Sequence, residues 1–513
     1  MFLDLFMEGV RIAANPLSVT AALLGLAAGI VVGAMPGLTA TMAVAVLAPF
    51  TFLMEAIVGI PFLLGVYKGA IYGGSIPAIT INTPGTAAAA ATALDGHVLA
   101  RKGQARRALE MSLYASVIAD LIATMVLIFV AAPLAAAALK FSSPEFTMLF
   151  IFSLTMIAAV SGRSITKGLI SASLGVLLAT MGLDPMSGQM RFTFGVTDLM
   201  GGVSLVPLLI GIFAISEVLL QAERGVPPID AIGYSKREPR VTWADLKGSA
   251  RAIFRSSGIG IGLGALPGLG AEISCWIAYG IARRRSKSPQ TFGKGSVEGI
   301  AAAEAGNNAV CPAALIPMLV FGIPGDTITA VLLGAFMAQG LLAGPLLFVK
   351  HGEVLYSLFA LLILTNVMLL VFGYVAIRYL RKITLIPSGL LYPVVTVMCA
   401  AGAFAVNSSF FDLIIMMAGG VLGYGMRKTG VPIPPLVIAM LLAPGLENAL
   451  RQSLVLSGGD ISIFVTRPIS AGIMALLLAG LAVIGFQSFR ARFSSTAKLD
   501  ESLHLERIKG KSR

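Results

Sequence analysis

Side chains able to do chemistry are sparse in this sequence, and they gather around Pro-Gly dipeptides. Thr39 and Thr41 follow Pro36-Gly37; Asn82, Thr83 and Thr86 flank Pro84-Gly85; Asp326 and Thr327 follow Pro324-Gly325, and a fourth pair is Pro267-Gly268. A second group, Glu298, Glu304, Asn307 and Asn308, precedes the last break. Proline lacks an N–H and clashes with the preceding turn, and glycine adds freedom, so Pro-Gly interrupts a helix. The interruption leaves half-helix N-termini whose N–H groups and dipole favour an anion. Carbonyls and side-chain oxygens on the other side of the break suit a small cation. Ion binding is therefore the chemistry these residues support. The signatures HExxH, GxSxG, GxxxxGK[ST] and CxxC are absent, and the histidines stand far apart. An enzyme acting on a lipid-linked substrate is the alternative reading, with only Glu298 and Glu304 to work with; the expectation is no enzyme, no cofactor and no metal.

The expected substrate contacts are Gly37, Thr39, Asn82, Thr83, Gly85, Thr86, Asn307, Asn308 and Gly325. The expected coupling-ion contacts are Asp326, Thr327 and Gly268, with Na⁺ or a proton as the ion. Several of these carry a second reading. Glu304, Asn307 and Asn308 share a helix face, and buried amides need partners from either a ligand or a neighbouring helix. Asp326 either caps the helix that starts at Thr327 or contacts the cation, and Thr86 has the same capping option. Lys68 either meets a substrate carboxylate or, the preferred expectation, snorkels to a headgroup. His97 is expected at the membrane interface.

The elements that hold these breaks must lie in a bilayer. Hydrophobic residues make up 57% of the 513 and charged ones 12%, with mean hydropathy +0.89, which leaves too little polar surface for a soluble chain of this length. Apolar stretches such as Met125–Leu139, Phe146–Val160, Leu199–Leu220, Val354–Val375 and Ile469–Phe486 recur along the chain and suit about 30 Å of hydrocarbon. Met1–Val10 is short and acidic and does not read as a cleaved signal peptide. The +12 net charge sits in short loops and the tail, the positive-inside pattern of cytoplasmic loops rather than a nucleic-acid surface. Cys275, Cys311 and Cys399 read as small buried hydrophobes.

The breaks are also duplicated. Gly29–Leu38 reappears as Gly260–Leu269, an offset of 231, and Ile76–Thr86 matches Ile316–Asp326, an offset of 240. In the first half the basic cluster Arg101–Arg107 follows the paired breaks, whereas Arg283–Lys294 lies between them in the second. Cytoplasmic basic loops then place the halves in opposite orientation, and paired breaks in inverted halves point to a transport site. The expected fold is an all-α polytopic membrane protein of two inverted-topology repeats with broken or re-entrant helices and roughly 11–12 spans. Its expected parts are a first repeat at 1–225, a cytoplasmic linker at 226–255, a second repeat at 256–489 and a basic cytoplasmic tail at 490–513.

The sequence resembles the large permease subunit of tripartite tricarboxylate transporters, the TctA family. The resemblance rests on the run from Gly33 through Ala45, Tyr72-Gly-Gly-Ser-Ile, Asn82-Thr-Pro-Gly-Thr, the run from Ala93 through Ala105, the run from Glu298 through Val310, and Gly322-Ile-Pro-Gly-Asp. Pro77 and Cys311-Pro312 depart from the small residues the family pattern carries there. The resemblance implies a multi-pass permease of the bacterial inner membrane that takes up citrate-like tricarboxylates or dicarboxylates with a coupling cation. It also implies two partners: a small TctB-like membrane subunit and a periplasmic TctC-like solute-binding protein.

Overall fold

The computed structural model describes residues 2–160, 164–224, 238–379 and 388–482. Residues 226–237 of the expected linker and the whole expected tail lie outside the described residues, and the linker's remainder runs into a helix that starts at Trp243. The first part of the chain forms α1 (Phe2–Ala13), α2 (Pro16–Gly33), α3 (Ala40–Leu47), α4 (Ala56–Gly73), α5 (Ser75–Thr80), α6 (Ala90–Leu99) and α7 (Ala105–Ala138). It continues through α8 (Ser143–Val160), α9 (Ile165–Ala179), a short hairpin, α10 (Leu205–Ile210) and α11 (Ser216–Arg224). The second part forms α12 (Trp243–Gly264), α13 (Gly270–Arg285), α14 (Val297–Asn308), α15 (Val310–Phe321), α16 (Thr327–Ala338) and α17 (Pro345–Lys350). Then come α18 (Gly352–Tyr379), α19 (Ser388–Asn407), α20 (Phe410–Thr429), α21 (Pro434–Leu456) and α22 (Ile463–Thr466). The protein is an all-α polytopic membrane protein. Among the described residues six helical segments are long and apolar enough to cross a bilayer, and six shorter apolar helices accompany them.

The hairpin pairs Gly182 with Arg191 and Leu183 with Met190. Asp184 in this loop accepts from the backbone N–H groups of Met186 and Ser187 and from the Arg451 guanidinium. The backbone donors, with Arg451 behind them, hold its carboxyl well below the usual carboxylate range. Asp184 therefore ties the loop to α21.

Small residues let the first two long helices meet backbone to backbone. A Cβ on Gly29 of α2 would stand 2.3 Å from the Val66 carbonyl oxygen, and one on Gly33 2.3 Å from that of Ala70. The matching positions behave alike: a Cβ on Gly260 of α12 would stand 2.5 Å from the Gly306 oxygen. Val66 and Gly306 are themselves 240 positions apart. The breaks share local geometry too. Gly37 and Gly268 both have φ of 86°, a left-handed conformation that favours glycine. Asn82 (φ 56°) and Gly322 (φ 71°) close α5 and α15 in the left-handed region, followed by Thr83 N–H to Pro77 O at 3.3 Å and Ile323 N–H to Pro317 O at 3.2 Å.

The long helix α7, 34 residues and about 51 Å, packs on α12, α14, α15 and α18. It carries the buried polar residues Ser112, Ser116, Asp120 and Thr124.

Candidate functional site

The segments that follow the four breaks line one cavity of about 940 Å³. Its wall includes Thr39–Thr41 at the start of α3, Thr86–Ala88 just before α6, Gly270–Glu272 at the start of α13 and Asp326–Ile328 at the start of α16. Four helix N-termini from matched positions in the two halves therefore face the same space. The wall holds matched pairs from the two halves: Thr39 and Gly270, Thr41 and Glu272, and Thr86 and Asp326.

Two of these N-termini are capped by side chains. Thr39 Oγ1 accepts the Met42 N–H at 3.1 Å, and Asp326 Oδ1 accepts the Thr329 N–H at 2.7 Å. The other two, before Ala87 and at Gly270, have no side-chain cap, and the buried Thr86 Oγ1 has no hydrogen-bond partner. The N–H groups at these two ends are left for an anion, whereas the Thr86 hydroxyl is enclosed against Gly74. Of the charged side chains on the wall, both are acidic: Glu272 and Asp326, which lie within electrostatic reach of each other. Asp326 Oδ2 also accepts the Tyr67 hydroxyl at 2.8 Å, and Thr41 and Thr327 hydroxyls meet at 3.3 Å. Both contacts join the first half to the second. The arrangement offers N–H groups to an anion and carboxylates to a cation in one compartment.

Of the residues expected to bind, Thr39, Thr86, Gly268, Asp326 and Thr327 line this cavity. The others stand outside its wall. Gly37 faces the Tyr392 hydroxyl and Gln221, and Asn82 and Thr83 are exposed at the left-handed turn after α5. Gly85 and Gly325 serve close approach: a Cβ on Gly85 would stand 2.0 Å from the Gly33 oxygen, and one on Gly325 2.7 Å from the Gly264 oxygen. Gly33 and Gly264 are matched positions, so each half closes its pair of breaks by the same contact. Asn308 donates to Ser116 Oγ at 2.8 Å across to α7, an interhelical role, whereas both polar atoms of the buried Asn307 lack a partner.

Lys68 does not snorkel. It is buried in α4, where its Nζ lies 2.7 Å from Asp120 Oδ2 and donates to the Leu362 carbonyl at 2.9 Å. An ammonium this deep is neutralised by a carboxylate instead of reaching a headgroup. Lys68→Met alone is expected to leave Asp120 charged and uncompensated and to cost about 3–5 kcal/mol. Thermal unfolding in detergent should show that loss, with recovery in Lys68→Met/Asp120→Leu; a single variant as stable as wild type would disprove it.

Residues 19–438 match the tripartite tricarboxylate transporter TctA family. The chain belongs to the TctA family. A relative from Agrobacterium vitis, named as an uncharacterized 52.8 kDa protein in the TAR-I ttuC' 3' region, is 34% identical over 490 residues, 94% of this chain and 96% of its own. A second from the same organism, in the TAR-II ttuC' 3' region, is 32% identical over 230 residues, 45% of this chain and 95% of its own. No solved structure matches the chain. For this TctA-family chain, then, sequence reasoning missed one wall residue that bears charge, Glu272. The signal was available: the offset of 231 that pairs Pro36 with Pro267 also pairs Thr41 with Glu272.

Proposed function

We propose that this TctA-family transporter chain is a secondary permease for citrate-like tricarboxylates or dicarboxylates. The observation that carries it is the convergence of four helix N-termini, two without side-chain caps, on a cavity whose charged side chains are acidic. Backbone N–H groups at the uncapped ends bind the substrate carboxylates. Glu272 and Asp326 oppose a bare polyanion, so the substrate enters with a coupling cation, Na⁺ or a proton. The two halves are inverted repeats, which makes the matched wall the place where access alternates between the two sides. The chain works in the bacterial inner membrane with its C-terminus in the cytoplasm. It receives substrate from a periplasmic solute-binding protein and is accompanied by a small membrane subunit.

The test is counterflow of labelled citrate, succinate and related acids in proteoliposomes holding the chain with its small subunit and binding protein. Exchange of at least one acid is expected, with net uptake raised by an inward Na⁺ or proton gradient. Absence of exchange with the whole panel would overturn the substrate class. Exchange with uptake indifferent to both gradients would overturn the coupling.

A further inference from the structure

Outside the cavity, α7 presents Ser112, Ser116, Asp120 and Thr124 at every fourth position, all buried. They line one helix face over about 18 Å. Against the middle of this face sits Glu304 of α14, fully buried. Its Oε1 accepts the Thr92 hydroxyl of α6; its Oε2 accepts the Ser116 hydroxyl at 3.1 Å and Asn308 Nδ2 at 3.4 Å. Asn308 Nδ2 also donates to the Glu304 carbonyl at 3.1 Å, which fixes the amide with its NH₂ group toward the carboxylate. Every partner is a neutral donor.

The titratable groups facing Glu304 are uncharged as well. Tyr72 of α4 and Cys275 of α13 lie within its electrostatic reach, and the buried Tyr72 hydroxyl has no hydrogen-bond partner. Charged groups on the helices packed around it are not among its hydrogen-bond or ion-pair partners. Lys68 of α4 pairs with Asp120, and Asp95 of α6 takes the Gly295 and Ser296 N–H groups and the Tyr279 hydroxyl. Glu110 of α7 pairs with Arg106 and Arg107 with Asp245 of α12, Glu298 of α14 accepts the Ser286 hydroxyl, Glu272 of α13 is on the cavity wall, Lys247, Arg251 and Arg283–Arg285 are exposed, and Arg255 of α12 is half-buried.

A carboxylate so placed is opposed by burial without a countercharge and favoured by three donors. The cage supplies no cation that would hold the group permanently ionised. A metal cation would need oxygen ligands where the Asn308 NH₂ points inward. We propose that Glu304 is the proton-carrying group of the transport cycle, loading and releasing one proton in this hydroxyl cage while the substrate occupies the separate cavity. One O–H bond forms on a Glu304 carboxylate oxygen at loading and breaks at release, and nothing is oxidised or reduced. The inference rests on the transport reading above and adds a proton, carried outside the cavity, to the cation that Glu272 and Asp326 receive with the substrate.

Proteoliposomes of the complete transporter with an internal pH-sensitive dye provide the test. Wild type should acidify the lumen during substrate uptake. Glu304→Gln, which mimics the proton-loaded state, should retain counterflow while losing pH-driven accumulation and dye response by about tenfold. Ser116→Ala removes a donor to the ionised form, so half-maximal uptake should persist to higher pH by about one unit. Wild-type counterflow without proton movement would overturn the proposal while leaving the transport reading intact. A proton signal surviving in Glu304→Gln would also overturn it. So would loss of all exchange in Glu304→Gln together with an unshifted profile in Ser116→Ala.

Discussion

Gly85→Ala is expected to abolish substrate uptake and to lower the melting temperature of the transporter more than Gly325→Ala does. The added methyl on Gly85 would stand 2.0 Å from the Gly33 carbonyl oxygen and 3.0 Å from the Gly74 Cα. Both obstacles are backbone, so no rotamer change relieves them, and α2 must move away from the Pro84-Gly85 break. At Gly325 the methyl would stand 2.7 Å from the Gly264 oxygen and 2.8 Å from the Ala314 Cβ, a milder collision. Overpacking in a tight interior costs about 1–3 kcal/mol, and the Gly85 case belongs at or beyond the upper end. The functional loss comes from the same displacement, because Thr86 follows Gly85 directly and lines the cavity. Gly280→Ala is the control: it lies in α13, and a Cβ there would meet nothing within 4 Å. Thermal unfolding of the detergent-solubilised protein and counterflow on the same preparations read both effects. Wild-type stability and uptake in Gly85→Ala would remove the backbone contact from the architecture of the break.

That contact marks the boundary of what the sequence could reveal. The Pro-Gly offsets alone made Gly33, Gly85, Gly264 and Gly325 stand out, and all four turn out to carry the closing contact. Gly85 and Gly325 were expected to touch substrate, and a glycine that lets two backbones touch looks the same in sequence as one that lines a ligand. Asn82 shows the same ambiguity. Its amide suggested ligand contact, yet the position is a left-handed helix end, and the glycine at its match, Gly322, was the clue to that backbone demand. The Lys68–Asp120 pair was beyond reach because 52 positions and two helices separate its members, and no periodicity links them. The fold class needed none of this detail. Apolar composition and repeated long stretches force helices into a bilayer whatever the internal pairing is.

Asp326→Asn separates the two roles that the sequence left open for this residue. The capping role is built: Oδ1 accepts from the Thr329 N–H at 2.7 Å and its hydroxyl at 2.8 Å, while Oδ2 takes the Tyr67 hydroxyl. An asparagine keeps Oδ1 as acceptor and can donate its NH₂ to the Tyr67 oxygen, so the cap survives with the charge removed. Asp326→Ala removes the cap, about 1 kcal/mol, and strands a buried Tyr67 hydroxyl at about 1–3 kcal/mol more. The alanine variant is therefore expected to melt earlier, and the asparagine variant to melt like wild type. Uptake should divide them differently. A cation roughly 6–8 Å from Asp326 at an effective dielectric near 20 gains about 2 kcal/mol from its charge, some thirtyfold in affinity. Asp326→Asn should then require about thirtyfold more cation, or an equivalently lower pH, for half-maximal uptake. Glu272→Gln should act in the same direction, and the double variant should fall short of the product of the two, because both carboxylates address one ion in one cavity. Asp326→Asn transporting with an unchanged cation requirement would leave the residue as a helix cap that ties α16 to Tyr67 and no more.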